Sequence, residues 1–159
     1  YGSGLRVSEL ADMVMQDIDF DNRMVRVTGK GSKDRITPLT PASCDAIRAW
    51  FCARNAQMPE QKQESHVFLN HLGTPLSTRS IARVIEKYAR QLSMMNNITP
   101  HQFRHSFATH LLNNGADIRA VQEMLGHASL STTQMYTRIS KEKLMQTYRL
   151  SHPRSGEKP

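Results

Sequence analysis

The sequence predicts a mainly α-helical domain that carries a small antiparallel β-hairpin or sheet. Several segments space their apolar residues three and four positions apart, as amphipathic helices do. Two short segments instead alternate apolar and polar residues on either side of a glycine-rich turn, which is typical of a hairpin. The chain has 159 residues, of which 38% are hydrophobic, so it is large enough for one compact domain with a buried core.

The first third of the chain is predicted to hold a short helix and the hairpin. Apolar residues at helical spacing indicate a helix from Ser8 to Met15. Met24 to Thr28 alternates as a half-buried strand does, and Arg35 to Leu39 can return beside it. The turn over residues 29–32 is rich in glycine, so its tip can carry basic side chains toward a ligand.

The middle of the chain is predicted to hold two helices separated by irregular structure. Thr40-Pro41 opens a helix to about Gln57, because proline is tolerated in a first helical turn. A polar connection over 59–65 leads to a short apolar run over 67–69, and Gly73 then marks a break. Ser77 or Thr78 caps a helix that ends near residue 95.

The last third is predicted to be helical up to a polar tail. Thr99-Pro100 starts a helix that Gly115 stops, and Gly126 ends a shorter helix over 117–125. Residues 129–138 are expected to be helical or nearly so, and an amphipathic helix covers 141–150. We therefore assign residues 1–150 to one domain and residues 151–159 to a polar C-terminal tail.

Composition points toward nucleic acid and away from membranes. The net charge is +7, and a basic surface attracts phosphate backbones, although solubility alone also accounts for many basic domains. No apolar run reaches the length of a membrane span, and no signal peptide is recognisable. Cys44 and Cys52 form neither a metal-site pattern nor a disulfide framework. We expect a cytoplasmic protein with no membrane partner.

Two basic residues stand in glycine-rich surroundings near the start of the chain. Arg6 follows Gly4 at the mouth of the first helix, where its planar guanidinium can face a phosphate. Lys30 stands at the hairpin tip, where it can reach an active site and donate a proton to a leaving alkoxide. Taken alone, each fits an ordinary solvent-exposed basic side chain better.

A third cluster lies on the helix that begins at residue 100. His101, Arg104 and His105 have the spacing i, i+3 and i+4, so we predict that they share one face, which suits proton transfer and charge stabilisation at a phosphate. Phe103 and Phe107 are predicted to pack inward on another face. A zinc site is not expected, because no glutamate follows His101 as in His-Glu-x-x-His, and Arg104 would repel a cation.

The fourth cluster combines His127 with Tyr136, nine residues further along the chain. A lone tyrosine is most often a packing or hydrogen-bonding residue. Tyr136 becomes a candidate nucleophile only where a phosphate-binding cluster can receive its attack.

In chain order, these clusters resemble the residue series of the tyrosine recombinase family: Arg6, Lys30, His101, Arg104, His127 and Tyr136. The stretches over 1–10, 29–35, 104–112 and 125–137 are similar to the Xer branch, and the resemblance runs from Tyr1 to about Arg154. One departure is Phe103, where the family commonly has leucine. The chain also starts in an apparent loop, without the N-terminal DNA-clamping domain and first catalytic-domain helices of family members, so we expect it to bind DNA weakly by itself.

The resemblance implies the catalytic domain of a DNA breaking and rejoining enzyme. Tyr136 would attack a DNA phosphodiester and leave a 3′-phosphotyrosine and a free 5′-hydroxyl. Arg6 and Arg104 would hold the non-bridging oxygens as negative charge builds. Lys30 would protonate the departing 5′ oxygen.

The resemblance also implies roles for the two histidines and for partners. His101 would accept the tyrosine proton and His127 would bind the phosphate, although the division between them is open. No cofactor or metal is required, because the phosphotyrosine stores the energy of the broken linkage. We expect double-stranded DNA as partner, a homo- or hetero-tetramer on DNA for the full-length protein, no small-molecule substrate, and chromosome-dimer resolution. The helix over 141–150 either packs on its own core or docks on a neighbouring protomer.

Four other functions compete with this interpretation. A phage or mobile-element integrase would have the same local active site and a different N-terminal domain and DNA partner. A type IB topoisomerase would relax supercoils by the same chemistry, but the Xer-like stretches argue against it. A non-catalytic DNA-binding module would have no need of Tyr136. A basic helical interaction domain would bind no DNA, and its partner binding would be insensitive to salt.

Overall fold

Six helices and a three-stranded antiparallel sheet make up the part of the chain that the structure, a computed structural model, describes: residues 1–29, 34–57, 64–92, 98–126 and 140–156. The helices are α1 (Val7–Ala11), α2 (Pro41–Gln57), α3 (Thr78–Gln91), α4 (Pro100–Asn113), α5 (Ile118–Leu125) and α6 (Lys141–Ser151). The strands are β1 (Ile18–Asp19), β2 (Met24–Thr28) and β3 (Asp34–Pro38). The predicted fold class is confirmed.

The sheet has the order β1-β2-β3, so the predicted hairpin forms its larger part. In the register of β2 and β3, Val25 pairs with Thr37 and Val27 pairs with Arg35. Both valines are buried, whereas Arg26 between them is exposed, as the alternating pattern predicts. Strand β1 was not predicted, because two residues are too few to show a period and its pairing with β2 is a tertiary contact.

Helix α1 is shorter than the predicted helix from Ser8 to Met15. It ends at Ala11, and residues 15–17 form a 3₁₀ turn. The backbone of residues 13 and 15 forms hydrogen bonds with another segment instead of continuing the helix. Val67 N–H donates to the Met13 carbonyl, and Met15 N–H donates to the Ser65 carbonyl. The segment that holds the apolar run over 67–69 therefore pairs through isolated bridges with the backbone that follows α1 and forms no strand of the sheet.

The later helices follow the predicted boundaries closely. Helix α2 has the predicted bounds, and α3 begins where Ser77 accepts a hydrogen bond from the Ser80 N–H. Helix α3 ends at Gln91, before the predicted residue 95, and residues 93–97 lie outside the described ranges. The predicted helix over 129–138 also lies outside them. None of the described helices is long and apolar enough to cross a membrane.

Two apolar clusters form the core on either side of the loop that leads into α1. One joins α4, α5 and α6, with Phe107, Met124 and Tyr148 at its centre. The other joins the sheet to α2 and includes Val25 and Ile47. Helix α6 therefore packs on the core of its own chain. Docking of this helix on a neighbouring protomer stays a prediction. Residues that follow it, including His152 and Ser155, are buried as well.

Candidate active site

The loop that leads to Arg6 is held by three side chains from three different elements. The carbonyl oxygens of residues 2, 3 and 4 accept hydrogen bonds from Tyr148 (2.7 Å), Thr37 (3.0 Å) and Arg104 (2.6 Å). Each buried carbonyl thus has a partner, which an irregular loop inside a domain requires. Because these partners come from α6, β3 and α4, the position of Arg6 depends on the whole fold.

Arg6 stands at the N-terminus of α1, where its side chain is held by Glu9 and stays partly exposed. Glu9, three residues later, accepts a hydrogen bond from the Arg6 backbone N–H at 2.7 Å and another from Arg6 Nη1 at 2.7 Å. The Arg6 side chain nevertheless keeps 41% of its surface exposed, whereas the Glu9 side chain keeps 5%. Glu9 therefore fixes the orientation of the Arg6 side chain, and part of that side chain remains accessible to solvent.

Helix α4 places His101 in its first turn and Arg104 one turn further on. Thr99 and Gln102 cap the helix reciprocally, since Thr99 N–H donates to Gln102 Oε1 at 2.7 Å and Gln102 N–H donates to Thr99 Oγ1 at 3.4 Å. Arg104 is buried on the inner face of α4, but His101 and His105 are exposed. The three residues lie on α4 at the predicted spacing, but the boundary of the core runs between them, since it covers Arg104 and leaves both histidines exposed.

The predicted inward packing of two phenylalanines holds for only one of them. Phe107 is fully buried, three positions after Arg104 and on the same side of α4. Phe103 is 36% exposed and lies along the rim of an apolar cavity of about 400 Å³ that Leu5 and Ile81 also line. The i, i+4 spacing therefore predicted that both rings lie on one side of α4, but it could not predict that the core covers only Phe107.

Three arginines from three elements converge on the C-terminal end of α5. The carbonyls of residues 124, 125 and 126 accept hydrogen bonds from Arg35 Nε (2.8 Å), Arg104 Nη2 (2.5 Å) and Arg6 Nη2 (3.3 Å). The last carbonyls of a helix lack partners within the helix and carry the negative end of its dipole, so cations are favourable there. Gly126 ends the helix in the left-handed conformation, with φ of 64°.

Glu9 lies at the centre of these arginines. Both of its carboxylate oxygens accept hydrogen bonds from the Nη atoms of Arg35 at 2.7 Å, and Arg104 Nη1 lies 4.0 Å from Glu9 Oε2. Burial raises the pKa of Glu9, but the hydrogen bonds from Arg35 and Arg6 outweigh burial and lower this pKa to about 2. Glu9 is therefore ionised at neutral pH.

The cluster of Arg6, Arg35, Arg104 and Glu9, which we call the arginine cluster, has two positive charges in excess. Burial, and then repulsion by Arg6, lowers the pKa of Arg104 to about 10, although the charge of Glu9 acts in the opposite direction. Arg104 still carries its charge at neutral pH but lacks full compensation for it. An oxyanion bound beside it would supply the missing negative charge, as at a transferring phosphoryl group.

The structure tests the placement of only part of the predicted site. It brings Arg6 and Arg104 together around one carboxylate and one helix end, and it places the exposed His101 one helical turn before Arg104. The predicted site residues Lys30, His127 and Tyr136 lie outside the described residues. Among the described residues, no three His, Cys, Asp or Glu side chains are grouped as a metal site requires.

Sequence reasoning missed two members of the arginine cluster. Glu9 had a local signal, since a glutamate three residues after a helix-start residue is the pattern of a helix cap. Arg35 had none beyond its basic side chain, because its partners lie 26 and 89 residues away along the chain.

Comparison with known proteins gives consistent results. Residues 1–143 match the model of the phage integrase family. The chain is 47% identical over 158 residues to the tyrosine recombinase XerC of Myxococcus xanthus, covering 98% of this chain and 53% of that protein. It thus spans about half the length of the curated relatives it matches.

Two solved structures show the same fold. The crystal structure of XerA recombinase has a TM-score of 0.74 and 32% identity, covering 96% of this chain and 55% of that one. The structure of XerH site-specific recombinase bound to its difH substrate has a TM-score of 0.69 and 27% identity, covering 93% of this chain and 43% of that one.

Proposed function

The chain belongs to the phage integrase family, and on this basis we propose that it is the catalytic domain of an Xer-type site-specific recombinase. The observation that carries the proposal is the convergence of Arg6 and Arg104 on the C-terminal end of α5, in a cluster with excess positive charge. These are the two arginines that the family resemblance assigns to the phosphate, and they come from distant parts of the sequence.

In the proposed reaction, the Tyr136 oxygen attacks the phosphorus of a DNA phosphodiester. A phosphorus–oxygen bond to tyrosine forms, the bond to the 5′ oxygen breaks, and a 3′-phosphotyrosine remains. Arg6 and Arg104 stabilise the negative charge on the non-bridging oxygens, which is greatest in the transition state. Lys30 gives a proton to the departing 5′ oxygen, so that the leaving group is a neutral hydroxyl.

The two histidines complete the proposed transfer of protons. An unperturbed tyrosine has a pKa near ~10, so its attack at neutral pH requires a base or a cationic site. His101 accepts the tyrosine proton, and His127 donates a hydrogen bond to the phosphate. A second 5′-hydroxyl then attacks the phosphotyrosine, which restores the tyrosine and rejoins DNA without an external energy source.

The proposed partner is double-stranded DNA, as in the XerH complex with its difH substrate. A full-length protein of this kind would exchange strands as a homo- or hetero-tetramer on DNA. The similarity to XerC favours chromosome-dimer resolution over the integration of a mobile element. A chromosomal substrate would place the enzyme in the cytoplasm.

A test of this function traps the covalent intermediate. The full-length protein is incubated with a library of nicked DNA duplexes, in which cleavage releases a short strand and prevents rejoining. We expect a protein–DNA adduct on a denaturing gel, lost in Tyr136→Phe but retained in Tyr88→Phe, which removes an exposed hydroxyl of α3.

The two variants separate the possible functions. DNA binding without an adduct in the wild type would contradict the enzyme and favour a binding module. An adduct that persists in Tyr136→Phe would identify a different nucleophile. Binding to DNA should also weaken steeply with salt, because phosphate contacts release counterions.

A further inference from the structure

We propose that Arg35 is a positioning residue for the cleavage reaction, an inference that rests on the proposed function. By holding both oxygens of Glu9, Arg35 keeps this carboxylate from forming a direct hydrogen bond with Arg104, so that the hydrogen-bonding face and excess charge of Arg104 remain available to the DNA phosphate.

Arg35 is committed to protein partners. Its Nε donates to the Met124 carbonyl at 2.8 Å, and its two Nη atoms donate to the two oxygens of Glu9 at 2.7 Å. Its side chain is 8% exposed, whereas that of Arg6 is 41% exposed. Arg35 therefore lacks the access to solvent that Arg6 has, and it acts on the reaction through Glu9.

Glu9 is a potential competitor of DNA for the catalytic arginines. Its Oε2 lies 4.0 Å from Arg104 Nη1, at the outer limit of an ion pair, so a small rotation of the carboxylate would bring the two side chains into direct hydrogen-bond contact. At a buried site such a pair is strong, since few water molecules screen it. A phosphate would then have to displace an internal anion before it could bind Arg104.

The planar guanidinium of Arg35 prevents this rotation. Two parallel N–H···O bonds fix both the distance and the orientation of a carboxylate, which a single ammonium group does not. The third bond, to the Met124 carbonyl, anchors the same guanidinium to α5. Arg35 thus has a geometric role in addition to its charge.

The position of Arg35 in the sheet links this role to the hairpin. Arg35 pairs with Val27 across β2 and β3 and stands next to Asp34, the first residue of β3. Its side chain passes close to Gly126, where an added Cβ would lie 2.9 Å from Arg35 Cδ. One side chain therefore connects the hairpin, α1 and the end of α5.

The test uses three variants that separate charge from geometry. In Arg35→Met the cluster loses one positive charge and Glu9 is released from Arg35, while its two hydrogen bonds from Arg6 remain. In Arg35→Lys the charge remains but the two-pronged contact is lost. In Arg35→Met combined with Glu9→Gln the released carboxylate becomes a neutral amide, which restores the original excess of positive charge.

The matched control is Arg26→Met, on the other face of the same hairpin. Arg26 also pairs with a carboxylate, that of Asp17 at 3.1 Å, but its side chain is 53% exposed. All variants are made in the full-length protein. For each, we would measure the rate of adduct formation on nicked DNA in a single turnover, the DNA affinity at several salt concentrations, and thermal unfolding.

We expect Arg35→Met and Arg35→Lys to slow adduct formation by up to about 100-fold, because small displacements of catalytic groups have effects of that size. Adding Glu9→Gln to Arg35→Met should recover about tenfold of this loss, whereas Arg26→Met should retain the wild-type rate. A residue that only stabilises the fold would not show this recovery, since the double variant removes a second set of native contacts.

Each other outcome contradicts a defined part of the proposal. A wild-type rate in Arg35→Met, or a double variant slower than the single one, would overturn the role of Arg35 while leaving the proposed function in place. A normal rate in Arg35→Lys would show that charge alone suffices and would overturn the geometric role. Absence of any adduct in the wild type would overturn the proposed function and the role of Arg35 with it.

Discussion

At the residue scale, two glycines allow the arginine cluster to pack closely. Gly4 has a φ of 61°, and an added Cβ would lie 2.5 Å from Phe107 Cδ1. Gly126 has a φ of 64°, and its added Cβ would meet Arg35. In both places the carbonyl of the glycine itself accepts a hydrogen bond from an arginine of the cluster. The absence of a side chain lets an aromatic ring or a guanidinium approach the backbone there.

Gly4→Ala is expected to destabilise the domain by about 2–4 kcal/mol. The left-handed conformation costs an alanine about 1 kcal/mol, and the contact with the buried Phe107 ring adds an overpacking penalty of about 1–3 kcal/mol. The measurement is the free energy of unfolding from urea titration. Gly115→Ala is the matched control, since Gly115 also has a positive φ, of 82°, but open space around it, and about 1 kcal/mol is expected. Equal losses of unfolding free energy in the two variants would show that the Phe107 ring moves aside without an energetic penalty.

At the element scale, α2 holds a segment that forms neither helix nor strand. Arg54 near its end is 6% exposed and donates hydrogen bonds to the carbonyls of residues 64, 66 and 67. Trp50, one turn earlier, donates to the Val67 carbonyl at 2.7 Å. The segment in turn pairs with the backbone that follows α1. Helix α2 therefore supports α1, which carries Arg6 and Glu9, through a segment of irregular backbone.

Arg54→Met is expected to lower the free energy of unfolding by about 2–3 kcal/mol, because it leaves buried carbonyls without partners. The matched control is Arg90→Met on α3, which breaks an exposed i, i+4 pair with Glu86 and should cost at most about 0.5 kcal/mol. Calorimetric melting of the two variants checks the difference. A loss for Arg54 as small as that for Arg90 would mean that water replaces the guanidinium without penalty.

At the scale of the whole molecule, the start and the end of the described chain come into contact at the ring of His152. The His152 ring stacks on Tyr148 with a centroid distance of 4.8 Å and lies 5.5 Å from Phe107 and 5.2 Å from Tyr1. Its Nδ1 accepts from the Arg154 backbone N–H at 3.1 Å, and its buried Nε2 has no hydrogen-bond partner among the described residues. Burial first, and then nearby positive charges, lowers the pKa of His152 to about 4.

The lowered pKa of His152 predicts that the folded protein loses stability in mild acid. Its pKa is lower in the folded than in the unfolded protein, where it is about 6.5, so the unfolded state binds more protons between these values. The free energy of unfolding should therefore be highest above pH 6.5 and fall toward pH 4, by up to about 3 kcal/mol. Glu9 has a lowered pKa of about 2, so the stability it contributes is present above pH 4.5 and is lost in stronger acid.

The measurement is urea unfolding at several pH values between 4 and 8. His152→Phe should remove the decline between pH 6.5 and 4, and His101→Gln, at an exposed histidine of α4, should leave it unchanged. A decline that persists in His152→Phe would assign the acid sensitivity to other groups.

The sequence alone was sufficient for those features that are encoded over a few residues. The caps and stops of α2, α4 and α5, and the alternation along β2, are local patterns and fall close to where they were predicted. The six candidate site residues were proposed because each stands in a recognisable stretch of sequence. By contrast, spacing along α4 could not show which of His101, Arg104 and Phe103 the core would cover.

Only the tertiary structure decided how the candidate site is held together. Burial of Arg104, pairing of β1 and the early end of α1 all depend on contacts between segments that are distant in the chain. The same applies to Glu9 and Arg35, whose importance lies in the partners they find at α5. A short-range pattern carries information about a residue's own turn or strand, but the electrostatics of a buried cluster depend on which charges the fold brings together.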